Sequence, residues 1–301
     1  MRFYYIISEG TWQVPHNAAS DNFGICMDTV VKFIGSTFQY VFKNFLFIFI
    51  FALIPSYFFA MSLDTENIHV LADAVFKDGT LQFPQIFHFI SFVNGHGWPY
   101  SLVCLAAMAV CLPMLLGFIE KHMRIGSRSF KGLAGRFNTN FLSTLIMTVV
   151  FFALYELWAL ITSGTLFGEF CLLSGAAVAV VVPVTYFALL AVFCYVASLL
   201  LLWLPCLLMT GYNFMDALNY SNQLYSEKKR GLFLAVFLPA AVAAVAELLV
   251  AGVFGPQDIR IPVFIIMELV FIVLLLYYCV LMYVAYFRLT GEERADLRKK
   301  Y

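Results

Sequence analysis

The 301-residue chain is 62% hydrophobic and only 12% charged, and its formal net charge is zero. This composition excludes an ordinary soluble domain, which has no means of hiding so much apolar surface. Between Glu169 and Asp216, 46 consecutive residues carry no charge. A bilayer accommodates such a run, because its hydrocarbon layer of about 30 Å needs about 20 apolar residues per helix. The composition therefore predicts an all-α polytopic integral membrane protein.

The start of the chain, Met1 to Asn17, shows neither the apolar core nor the cleavage site of a signal peptide, so we expect the first span to lead insertion. Six apolar runs are long enough to cross a bilayer. In chain order they are Tyr40–Ala60, Trp98–Ile119, Phe141–Thr162, Cys171–Gly211, Gly231–Gly255 and Pro262–Phe287. The fourth run has 41 residues, and as one helix it would extend about 60 Å, so it fits either one over-long helix or two spans.

The distribution of Lys and Arg favours one helix, because these residues prefer the cytoplasmic side of short loops. The basic clusters at 120–140 and 228–230 lie on the same side of the membrane only if an even number of spans separates them, which means two spans if the fourth run is a single crossing. Sixteen of the eighteen basic residues then lie inside, and only Lys77 and Arg260 lie outside. We predict one membrane domain over residues 1–301 in the cytoplasmic membrane, with both termini inside and the fourth span bent near Pro183 or Pro205.

Amphipathic segments flank these spans. We expect surface helices at Asn67–Lys77 and Gln85–Val93 in the outer loop 62–97, and lead-in helices at Ile25–Tyr40 and Asn213–Tyr225. Inside, Arg128–Phe137 alternates basic and apolar residues at helical spacing. Arg128, Lys131 and Arg136 are therefore candidates for contact with anionic lipid, although plain topogenic loop charge explains them as well.

Three carboxylates lie within the apolar runs, where ionisable residues are costly and mark functional sites. Glu156, Glu247 and Glu268 each stand six to eight residues from the outer end of a span, about 9–12 Å along the helix. They predict an acidic outward-facing cavity for a proton, a cation or an amine. Protonated packing residues bonded to Tyr155, Tyr186 or Thr185 are the alternative.

Four stretches together carry a family resemblance. They contain an amphipathic helix that leads into the first span, a basic turn before the third span, a proline near the end of the long span, and an aromatic and basic sequence at the end of the last span. They are Phe23–Ser56, Gly117–Leu142, Leu204–Leu224 and Ala285–Leu289. Their order resembles the six-span membrane domain of bacterial glycerophosphodiester phosphodiesterases and of related stand-alone bacterial membrane proteins. The resemblance implies the fold without the catalysis, since the soluble barrel that carries the phosphodiesterase activity has no counterpart in this chain.

The chain contains no nucleophile–base, metal-ligand or nucleotide-binding motif, so we expect no catalytic residue, metal or cofactor. We predict a non-enzymatic envelope or transport accessory that contacts lipid head groups or a membrane protein, with no nucleic-acid partner. A small transporter or lipid translocator that uses the carboxylate layer is the first alternative. An intramembrane enzyme is the second, weaker one.

Single-cysteine labelling of a variant without native cysteines tests the predicted topology. A cysteine in the loop 62–97 should react from outside, and cysteines at Gly126 and Ser226 only from inside, because an even number of spans separates these two positions. External labelling at Ser226 would mean that the fourth run crosses the membrane twice.

Overall fold

The computed structural model describes residues 18–63, 74, 81–93, 97–253 and 260–297, and this part of the chain contains helices and no strand. The helices are α1 (Ala18–Ser62), α2 (Phe83–Ile90), α3 (Trp98–Ile125), α4 (Leu133–Leu172), α5 (Ala176–Leu200), α6 (Trp203–Thr210), α7 (Phe214–Val253) and α8 (Arg260–Thr290). A 3₁₀ turn at Ala295–Leu297 packs against α3.

Six of the described helical stretches are long and apolar enough to cross a membrane, as the apolar runs predicted. The boundary between the third and fourth runs differs from the prediction. Helix α4 continues past Thr162 to Leu172, so Cys171 belongs to it and not to the long fourth run. The turn comes at Gly175, whose positive φ of 61° suits glycine, and α5 starts after it.

The fourth run is one crossing by length and composition, but it is not one continuous helix. It is interrupted at Leu201 and Leu202, between α5 and α6. Pro205 explains the interruption, because it has no N–H to donate to the Leu201 carbonyl and is tolerated in the first turn of α6. Pro183, the other expected bend, lies inside α5 without breaking it.

The expected lead-in helices are parts of longer helices. Ile25–Tyr40 continues without a break into the first span as α1. The segment after Asn213 likewise runs on through α7, with only a kink at Lys228, where φ is −134°. Helix α2 confirms the second of the two surface helices expected in the outer loop. The first, Asn67–Lys77, falls outside the described residues except for Ala74.

The best-packed part of the molecule surrounds the carboxyl-terminal half of α8. Ten of the twelve residues from Leu276 to Phe287 are buried. Helices α1, α3, α6 and α7 all contact α8. Phe38 of α1 lies against Tyr277, with ring centroids 5.0 Å apart. The helices are therefore held together mainly at this end, which we call the basic end because it carries Lys121, Arg124, Arg128, Lys131 and Arg136.

Two tyrosines of α8 stabilise a proline-containing turn of α7. Pro239 has no N–H, so the carbonyl of Ala235, four residues earlier, loses its helical donor. The Tyr277 hydroxyl donates to that carbonyl at 2.8 Å. The Tyr278 hydroxyl donates to the Val236 carbonyl, also at 2.8 Å. Helix α8 thus supplies a hydrogen bond that α7 cannot make for itself.

Helices α1 and α7 approach closely at Gly231. A Cβ placed there would lie 2.9 Å from the Thr29 methyl, whereas a Cβ at Gly35 of α1 would meet nothing within 4 Å. We expect Gly231→Leu to cost about 1–3 kcal/mol through overpacking. Gly35→Leu should be neutral or gain up to ~1 kcal/mol from helix propensity. Melting temperatures in one detergent compare the two variants, and equal values would contradict this close approach.

Candidate functional site

Helix α2 lies along the part of α4 that extends away from the basic end. Ile86 and Ile90 are buried, and the ring of Phe83 meets Phe167 of α4 edge to face, with centroids 6.2 Å apart. At its start, the side-chain oxygen of Gln85 accepts the Gln82 amide at 2.9 Å. The apolar face that suggested an interfacial helix is therefore at least partly covered by protein.

Tyr155 and Glu156, adjacent on α4, hold the segment that follows α2. The Tyr155 hydroxyl donates to the Ile90 carbonyl at 2.7 Å. The two carboxylate oxygens of Glu156 accept the Ser91 hydroxyl at 2.7 Å and the Phe92 amide at 2.9 Å. These contacts satisfy one of the last carbonyls of α2 and the first amide beyond Ser91, groups that a helix end leaves without helical partners. We call this set of contacts the α2 clamp.

The clamp borders a small cavity. Ser91 and Phe92 line it together with Tyr155, Tyr186 of α5 and Glu247 of α7. Its open volume of about 60 Å³ exceeds the space that one water molecule needs. Glu247 interacts electrostatically with both tyrosines, but among the described residues its carboxylate has no hydrogen-bond or ion-pair partner. Four of the five residues expected at an outer site therefore lie together.

Glu268 is the fifth, and it does not line this cavity. It lies on α8 between Phe264 and Phe271, whose rings pack on Tyr57 and Phe59 of α1. Counted along the helices from the Tyr278–Val236 hydrogen bond, Glu268 and Glu247 lie about 15 Å and about 17 Å away. They share a depth, as expected, but of the three carboxylates only Glu247 lines the cavity, and Glu156 lies beside it through its bonds to Ser91 and Phe92.

The cavity lies far from the basic end. The 20 residues from Arg136 to Glu156 span about 30 Å of helix. This length matches the hydrocarbon thickness of a bilayer, so basic residues at one surface place the carboxylates near the other. Carboxylates are tolerated there at a lower cost than at the centre.

Thr185, expected as a partner for one of the three carboxylates, instead donates to Glu169 at 2.6 Å. Glu169 lies further along α4, near its carboxyl-terminal end at Leu172. This hydrogen bond joins the carboxyl-terminal part of α4 to the first half of α5.

The basic end contains a buried polar network that the sequence analysis missed. Glu120 is 4% exposed, and it pairs with Arg136 at 2.6 Å and with Arg124 at 3.6 Å. His122 is also buried, with one ring nitrogen 2.9 Å from the Tyr40 hydroxyl and the other accepting Arg128 Nε at 3.3 Å. The i,i+4 pair of Glu120 and Arg124 was the signal in the sequence, but the sequence analysis considered only the basic residues of this segment.

The basic segment differs from its expected form. Residues 126–130 are not helical, and α4 begins only at Leu133, after Gly132 adopts a left-handed φ of 77°. Arg128 and Arg136 are occupied by His122 and Glu120, whereas the Lys131 side chain is exposed. The three candidate lipid-contact residues are therefore not equivalent.

No family model, curated protein or solved structure matches this chain. The functional conclusion therefore rests on the geometry of these residues.

The α2 clamp predicts a specific effect of removing Glu156. Glu156→Ala takes away two hydrogen bonds to a carboxylate, each worth about 1.5–3 kcal/mol. We expect the Phe92 amide to exchange its hydrogen at least about tenfold faster. Glu268→Ala is the matched control, since it removes a carboxylate that does not bond α2. Unchanged exchange in Glu156→Ala, measured by mass spectrometry of the segment 83–93, would refute the clamp.

Proposed function

We propose that this multi-pass membrane protein is a non-enzymatic accessory of the bacterial cytoplasmic membrane, serving the envelope or a transport process. Its basic end faces the cytoplasm and contacts lipid head groups, and its opposite end presents α2 to the outside, where a membrane protein partner can reach it. The observation that carries this proposal is the α2 clamp, because both carboxylate oxygens of Glu156 accept hydrogen bonds that hold the segment after α2.

The packing supports an accessory better than a conduit. A transported ligand needs a continuous path, but the residues around the carboxyl-terminal half of α8 are closely packed. The cavity at Glu247 has about 60 Å³ of open volume, far below the roughly 300–1,000 Å³ of typical ligand pockets. A carboxylate that binds the backbone of a neighbouring segment acts as an anchor, and this role needs no ligand.

A second candidate function is a proton or cation site at Glu247. One observation favours it: this carboxylate lines the cavity without a hydrogen-bond or ion-pair partner among the described residues. Tyr155 and Tyr186 stand beside it as hydrogen-bonding groups. A small transporter would use Glu247 as its ionisable group, with Glu156 fixed in the clamp.

Proteoliposomes that contain the purified chain distinguish the two functions. We expect proton flux, potassium flux and flipping of a fluorescent phospholipid to equal those of protein-free liposomes, because the closely packed residues around the carboxyl-terminal half of α8 leave no continuous path across the molecule. Flux above that background would overturn the accessory role as stated.

Glutamine substitutions then show whether any flux belongs to the cavity. Because glutamine keeps the shape and removes the charge, the transporter alternative predicts that Glu247→Gln abolishes flux. Glu268→Gln, outside the cavity, should leave flux unchanged. The accessory role predicts that the Gln variants at 156, 247 and 268 all behave as the wild type does in these assays.

A further inference from the structure

A second cavity, larger than the one at Glu247, opens at the basic end. It has a volume of about 600 Å³ and lies between α3, the start of α4, and α6. Its polar lining includes Glu120, Arg136, Thr139, Asn140 and Ser143, and its apolar wall is formed by Leu207 and Leu208. This volume lies within the range of small-molecule binding sites.

The amino-terminal end of α4 borders this cavity with unused donors. Gly132 and Gly135 line it, and no side chain caps the helix. The amides of Leu133 and Arg136 donate to Phe130 and Gly132, but those of Ala134 and Gly135 have no backbone partner among the described residues. The start of a long helix carries a partial positive charge, and its free amides bind anions.

A buried side-chain amide that lines the same cavity independently points to a ligand. Asn140 is 7% exposed, and its Nδ2 has no hydrogen-bond partner within the described part of the chain. A buried donor left unpaired costs free energy, so an acceptor that entered the cavity would recover that cost. The other side-chain atom, Oδ1, already accepts the Thr139 hydroxyl at 3.3 Å, which leaves Nδ2 as the unsatisfied group.

The charge balance of the cavity also favours an anion. Glu120 is the acidic residue of the lining, but Arg136 and Arg124 both lie within ion-pair distance of it. Two guanidinium groups face one carboxylate, so the cluster is net positive. Arg136 is 27% exposed, and its planar group has further N–H donors beyond the one that Glu120 accepts.

We infer that this cavity binds a phosphate group, held by the amide of Gly135, the guanidinium of Arg136 and Asn140 Nδ2. A free backbone amide, a guanidinium and a side-chain amide donor together match the oxygens of a phosphate. A phospholipid is the source that fits best, because the cavity lies where α3 and α4 reach the membrane surface and Leu207 and Leu208 provide an apolar wall. The inference rests on the lipid contact in the proposed function and gives it a defined site.

Two substitutions block or weaken this site without removing an ion pair. Gly135→Leu fills open space, since a Cβ at Gly135 meets nothing within 4 Å. Asn140→Leu removes the unpaired donor. Gly164→Leu is the matched control, because Gly164 also lies on α4 with nothing within 4 Å of its Cβ position, and it is outside the cavity.

The experiment titrates the full chain in detergent with dioleoylphosphatidylglycerol, with dioleoylglycerol and with inorganic phosphate, and native mass spectrometry measures retention. We expect the wild type to retain the phospholipid over dioleoylglycerol. Gly135→Leu and Asn140→Leu should weaken that retention roughly tenfold, the loss expected for charge-assisted hydrogen bonds. Gly164→Leu should match the wild type.

Inorganic phosphate distinguishes lipid-borne from free phosphate. If inorganic phosphate binds and the phospholipid is retained no better than inorganic phosphate, the phosphate site is confirmed and its ligand is a soluble phosphate. If all variants retain phospholipid as the wild type does, the site is wrong while the lipid contact of the proposed function stands. If the wild type itself prefers neither phospholipid nor phosphate, the lipid contact and the site both fail.

Discussion

Within a bilayer, a backbone carbonyl that loses its helical donor has no water to replace it, and this constraint organises the packing of α7 on α8. Pro239 creates such a carbonyl at Ala235, and the Tyr277 hydroxyl satisfies it at 2.8 Å. The Tyr278 hydroxyl donates to the next carbonyl along, that of Val236. Both tyrosines lie on the half of α8 that α1, α3 and α6 also contact, so this repair fixes α7 to the centre of the molecule.

The same requirement accounts for the two ends of the molecule. At the end away from the basic residues, the carbonyl of Ile90 and the amide of Phe92 find partners in Tyr155 and Glu156. At the basic end, the buried carboxylate of Glu120 is matched by Arg136. Two groups without a partner among the described residues, the carboxylate of Glu247 and Nδ2 of Asn140, belong to residues that line the two cavities. These two places are where a ligand would interact most favourably.

The six spans could be predicted from the sequence because apolarity over about 20 residues is a local property. The hydrogen-bonding partners of individual side chains could not be predicted in this way. Ser91 and Glu156, for example, are 65 positions apart in the chain, and only the packing of α2 on α4 brings them together. A common depth for Glu247 and Glu268 followed from counting residues, but which helix face each occupies depended on crossings that counting does not give. The buried ion pair of Glu120 could not be predicted either, because its main partner, Arg136, lies on the next helix.

A double-mutant cycle on Tyr277 and Pro239 tests most directly whether the carbonyl of Ala235 holds α7 on α8. Tyr277→Phe alone should lower the free energy of unfolding by about 1–3 kcal/mol, the cost of a buried acceptor without a donor. In a Pro239→Ala background, the restored amide can donate to Ala235, so the same substitution should cost less than about 0.5 kcal/mol. An equal cost in both backgrounds would contradict this account.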